Sequence, residues 1–160
     1  MNAISGLILA VGAMGLAAWP ASAEPSATSG AYGFIVQVSL SPKAAVKLAA
    51  LRETISLAAS YQGDPVPSAI KHANEMGEVE LGRENLEISG GGGIATFTGR
   101  TFKTERIAWL TAAGPEVNVN AFSSRHSGPD NLLDCEFFQD KVSVARREPI
   151  KLNCKLIGEP

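Results

Sequence analysis

Cys135 and Cys154 are the two cysteines of the chain, carried in LLDCEFF (132–138) and IKLNCKL (150–156). Two thiols can form a redox pair, contribute to a metal site or close a covalent staple. A redox pair calls for C-x-x-C, which does not occur here. A zinc site calls for four ligands in closely spaced pairs, and neither His72 nor His126 forms such a pair with a cysteine. On an alternating strand Leu133, Cys135 and Phe137 share one face, and Leu152, Cys154 and Leu156 share another. Both thiols then point to the apolar side of their strands, and the segment 136–153 is long enough to leave and return. An intramolecular disulfide is the expected outcome in an oxidising compartment.

The remaining candidates for chemistry are sparse. His72 and Glu75 stand at i, i+3 in HANE, where a helix would place them side by side. H-E-x-x-H is absent, so the plainer reading is a solvated face. SSRHSGPDN (123–131) gathers Ser123, Ser124, Arg125, His126 and Asp130. A catalytic triad needs a preoriented base and an oxyanion hole, and proximity in sequence supplies neither. G-x-S-x-G does not occur. The segment reads as a polar connection between strands and a candidate binding loop. YQGDP places Tyr61 and Asp64 at a strand end, with Tyr61 continuing an apolar face and Asp64-Pro65 signalling a turn. The binding residues expected from the sequence are therefore Tyr61, Asp64, Arg125 and His126. SGGGG (89–93) lacks the Lys-Ser/Thr of a phosphate-binding loop and reads as a mobile turn. Glu75, Glu78, Glu80, Glu84 and Glu87 cluster in 74–87, but without a calcium-loop pattern they read as an exposed sheet face. No catalytic residue, metal or cofactor is expected.

The elements that hold these residues are read from period and punctuation. ISGLILAVGAMGLAAW (4–19) is uncharged and apolar, and Pro20 with Ala21-Ser22-Ala23 completes a signal-peptide pattern. Cleavage after Ala23 is expected, giving a periplasmic or secreted protein with no membrane attachment thereafter. Residues 24–33 read as a loose leader and 34–160 as one domain. FIVQVSL (34–40) alternates like a half-buried strand. Ser41 then caps a short helix that Pro42 opens, about 42 to 50. ETISLAASY (53–61) alternates again. Further short strands are read around Val79 and Leu81, around Leu86 and Ile88, and in 94–99, 105–112, 116–122, 132–138, 141–145 and 150–156. Trp109 is read as core.

Strands recurring at short intervals, with one helix and no strand–helix alternation, predict an all-β antiparallel β-sandwich. The pattern resembles immunoglobulin-like or transthyretin-like sandwiches in strand rhythm only, because the cysteines are too close and no tryptophan lies between them. The net charge is −2, with no basic stripe for nucleic acid.

Function follows only at the level of class. The expectation is an exported, non-catalytic binding or interaction module that presents loops or an edge strand to a protein or a glycan. A small periplasmic hydrolase using His72 or His126 is the alternative, and a structural subunit of a surface assembly is the third. Donor-strand assembly would need an alternating apolar extension, and EPSATSGAYG has none.

Overall fold

The computed structural model describes residues 30–160. The expected signal peptide with its expected cleavage point, and residues 24–29 of the expected leader, lie outside the described residues. Eight strands form two four-stranded sheets, as the all-β sandwich reading requires. Sheet A has the order β4 (Gly93–Phe97), β1 (Phe34–Leu40), β8 (Ile150–Leu156), β6 (Leu133–Cys135). Sheet B has the order β3 (Val79–Ile88), β2 (Ile55–Gly63), β5 (Glu116–Ser123), β7 (Phe138–Lys141). All ladders are antiparallel except β1 with β8.

The inner faces follow the two-residue period. Phe34, Val36 and Val38 of β1 meet Ile55, Leu57, Ala59 and Tyr61 of β2 and Val117 and Val119 of β5 in one core. α1 (Pro42–Leu51) carries the chain from sheet A to sheet B and buries Ala44 and Leu48. Its start is as the sequence predicts: the Ser41 hydroxyl accepts from the Ala44 N–H at 3.1 Å. The disulfide between Cys135 and Cys154 is present, and the two residues face each other across the β6–β8 ladder. Closing that loop contributes about 3 kcal/mol in the chain-entropy account. Among the described residues no helix is long and apolar enough to cross a membrane.

Several expectations are corrected. The two short strands read in 79–88 are one strand with a register shift opposite Tyr61/Gln62. The extra residue there reverses the inward phase: Val79 and Leu81 face the core before it, Glu84 after it. Gly82 sits at the shift with φ +140°, and a Cβ on it would stand 2.3 Å from the Thr101 carbonyl oxygen. Residues 105–112 are not a strand; a 3₁₀ turn, Thr104–Trp109, lies there and leaves Trp109 only partly buried. Residues 142–145 form α2 (Val142–Ala145), because Val142 and Ala145 at i, i+3 both face the core. Phe137 is 66% exposed, because β6 ends at Cys135 before the chain crosses to sheet B.

The glycine run is the crossing from β3 in sheet B to β4 in sheet A, and it is packed at Gly90 and Gly92. A Cβ on Gly90 would stand 2.0 Å from the Glu53 carbonyl oxygen. The leader also ends earlier than read. Gly30 donates to the Thr98 carbonyl at 3.0 Å, and Tyr32 stacks on Phe102 with ring centroids 3.6 Å apart. Glu84 leaves the expected exposed face altogether: it is 2% exposed and accepts from the Thr98 N–H, the Thr98 hydroxyl and the Gly99 N–H.

Candidate functional site

Loop 124–131 leaves β5 at the end of sheet B where β2 begins, and a buried carboxylate holds it there. Glu53, 3% exposed, precedes β2. Arg125 adopts φ +64°, and the two N–H groups that follow it converge on the Glu53 carboxylate. His126 N–H donates to Oε1 at 3.2 Å, Ser127 N–H to Oε2 at 2.8 Å, and the Ser127 hydroxyl to Oε2 at 2.6 Å. The Thr54 N–H adds a fourth bond at 3.0 Å. Burial alone would raise this carboxyl, but the Ser127 hydroxyl and N–H, with Thr54 and His126, outweigh it and hold it at about 2. The loop is pinned at its ends too. Asn131 Oδ1 accepts from the Ser123 N–H and the Leu133 N–H, and the buried Ser123 hydroxyl accepts from the Leu132 N–H.

His126 turns its ring outward to Glu87 on β3, with Nε2 2.9 Å from Oε1. The Thr54 hydroxyl donates to the same oxygen at 2.6 Å. Thr54 first, then His126, draws the Glu87 carboxyl below its usual range; the Glu87 hydrogen bond and charge raise His126 in turn. The Arg125 guanidinium lies over the Phe122 ring, 5.9 Å from its centroid.

From this end a trough of about 690 Å³ runs along the outer face of sheet B. The registers divide it into three rungs. Glu87, Ser56 and Phe122 form the first, Asn85, Ala58 and Asn120 the second, and Arg83, Ser60 and Asn118 the third. Small side chains on β2 make the floor, and longer ones on β3 and β5 make the walls, because outward residues stand perpendicular to the sheet. Arg83 Nε donates to the Ser60 hydroxyl at 3.1 Å, and the Ser56 hydroxyl pairs with that of Ser124 at 2.8 Å. The Asn120 amide donates to Asn118, whose own amide donates to Gln139 on β7. The Asn85 amide bonds to no other described residue.

The other binding candidates lie elsewhere. Tyr61 is fully buried, edge-on to Phe34 and Phe102, and donates to the Tyr32 carbonyl at 3.3 Å. Burial, then the Glu84 charge, raises its phenol. It belongs to the core and offers nothing to a ligand arriving from solvent. Asp64 is exposed at the opposite end of β2, about 30 Å away along the strand. Its carbonyl accepts from the Thr111 N–H at 2.9 Å. Asp64 and His126 therefore do not share a site. Near Asp64 the His72 ring stacks on Trp109 with centroids 4.0 Å apart, and Arg106 lies 5.7 Å from the Trp109 ring centroid.

Chemically, the arrangement supplies a fixed loop, an exposed imidazole–carboxylate pair and a hydroxyl- and amide-lined trough. His126 faces Glu87, the Ser124 hydroxyl pairs with that of Ser56, and the Ser123 hydroxyl donates to Asn131 Oδ1, so neither serine named with His126 in this loop bonds to the imidazole. Among the described residues no three His, Cys, Asp or Glu side chains are grouped to hold a metal. Sequence reasoning found Arg125 and His126 but missed Glu53, Asn85, Asn120 and Phe122. The only signal for the last three was their outward phase on alternating strands. No family model, curated protein or solved structure matches the chain.

Proposed function

We propose that this protein is an exported binding module that presents loop 124–131 and the adjoining outer face of sheet B to a protein or glycan. One observation carries the reading: an otherwise polar connection is tied by three hydrogen bonds, from the His126 N–H and from the Ser127 N–H and hydroxyl, to one buried carboxylate. A surface loop ordered in advance loses little freedom when a partner binds, and binding residues concentrate on loops held by a rigid scaffold. The disulfide supports a non-cytoplasmic location; a periplasmic or secreted location completes the proposal.

The test is binding of the exported protein, immobilised through its C-terminus, to a glycan array and to a panel of purified extracellular proteins. The Arg125→Ala/His126→Ala variant serves as comparison. Both side chains are exposed, so the variant keeps the fold. A ligand whose affinity falls about tenfold in the variant, the loss of roughly one charge-assisted hydrogen bond, supports the proposal. No ligand in either panel, or ligands held equally by both proteins, overturns it.

A further inference from the structure

The middle rung of the trough has the clearest chemistry. Asn85 and Asn120 both pair with Ala58, one from each side. Two carboxamides therefore stand two strand spacings apart, about 10 Å, over a methyl floor. A carboxamide offers both a donor and an acceptor. Asn85 keeps both unengaged by any described residue, and Asn120 keeps its oxygen, because its amide nitrogen is given to Asn118. Rungs repeat about every 7 Å along the strands, and the neighbouring rungs add the Ser60 and Ser56 hydroxyls and the half-buried Phe122 ring.

We infer that this trough binds a neutral oligosaccharide, with Asn85 and Asn120 reading hydroxyl pairs of one sugar residue and Phe122 packing on the next. This rests on the binding-module reading and names the ligand class for it. A sugar hydroxyl is at once donor and acceptor, as each free carboxamide is. The weakly polar C–H face of a sugar ring suits the Phe122 ring and the Ala58 methyl. Charge argues the same way. Glu87 is turned to His126 and Thr54, Arg83 is the one cation in the trough lining, and Arg125 lies over Phe122 at its end. An anionic polymer would find one positive charge along the lining and one at the end, too few to match a charge on every unit. A peptide strand would find no unpaired backbone on the trough floor, since β2 lies between β3 and β5, and the free edge of β3 faces away from the trough.

The test is a titration of the ¹⁵N-labelled exported protein with four probes: cellotetraose, maltotetraose, N-acetylchitotetraose and tetragalacturonate, each to 10 mM ligand, a ceiling that still reports Kd in the low-millimolar range. The expected result is that a neutral probe shifts amides within 56–60, 83–87 and 118–122. Asn85→Ala/Asn120→Ala then weakens it at least tenfold, while the Trp109→Ala variant binds as the unaltered protein does. Both asparagines are exposed, and an unchanged unfolding midpoint confirms that the variant keeps its fold. Overturning results are no shift with any neutral probe, shifts confined to other residues, preference for tetragalacturonate, or equal affinity in the double variant. If no neutral probe shifts the trough amides while a protein ligand is lost in Arg125→Ala/His126→Ala, this inference fails and the binding-module reading stands.

Discussion

The two ends of sheet B are closed by different physics. At the Glu53 end a loop is folded onto a buried charge, and every bond in the closure is a hydrogen bond to or near a carboxylate. At the Trp109 end two 3₁₀ turns meet through the Pro65–Leu110 bridge and a His72–Trp109 stack, with Ile70 and Ile107 still facing solvent. The first closure is directional: it sets one loop conformation and depends on ionisation. The second rests on ring stacking and on backbone hydrogen bonds, Val66 N–H to the Trp109 carbonyl and Thr111 N–H to the Asp64 carbonyl, and not on a carboxylate. Preorganised polar recognition belongs with the first kind, which is why the functional reading is placed at that end.

The largest effect expected is from removing the charge at the first end. Glu53→Gln leaves the shape but not the carboxylate. The folded value of about 2 lies below the ordinary 4.5, so the contribution is complete above pH 4.5 and is lost as the pH falls toward 2. The full shift corresponds to about 3 kcal/mol, and solvent screening at the sheet end reduces it to about 2 kcal/mol. Urea unfolding at pH 7 should show that loss, and the acid-side slope between pH 4.5 and 2 should flatten in the variant. An unaltered slope would remove the contrast between the ends.

Trp109→Ala should cost somewhat less, about 1–2 kcal/mol, the worth of an aromatic stack and part of a ring's burial. Its cost should be the same at pH 5 and pH 3, a range over which the Glu53 contribution begins to decline, as measured by the urea midpoint. A cost that disappears at the lower pH would show that this end is also charge-dependent.

The smallest effect is at the exposed His126–Glu87 pair. Glu87 raises His126, so the pair's contribution is complete below the ordinary histidine value of 6.5 and fades as the pH rises through the higher folded value. In Glu87→Gln the His126 resonances should titrate at lower pH by NMR, with no resolvable change in the unfolding midpoint. An identical titration would mean that the pair does not persist in solution.

How much was legible in the sequence differs by element. β1, α1 and β8 were read closely because each has an unbroken period or an unambiguous cap: Phe34-Val36-Val38, Ser41-Pro42, Leu152-Cys154. β3 reads as two strands in the sequence because the register shift at Tyr61/Gln62 breaks its period. Residues 105–112 and 141–145 carry apolar residues at spacings that suit either a strand or a turn of helix, and their packing partners chose the latter. Arg125 and His126 were legible as a polar loop with a cation and an imidazole. Glu53 was not, since a lone glutamate before a strand looks like any surface charge.

The sequence by itself determined the class of the fold and the cysteine pair that staples it, because alternation, caps and an even cysteine count are local properties of a chain. It also nominated loop 124–131. Only the tertiary structure decided that Tyr61 is core, that Asp64 and His126 are at opposite ends, and that Asn85 and Asn120 flank Ala58. Those facts depend on which strands lie side by side and on contacts such as that of Ser127 with Glu53, 74 residues apart. Pairings of that range come from burying one shared core, to which every strand contributes and which no local period encodes.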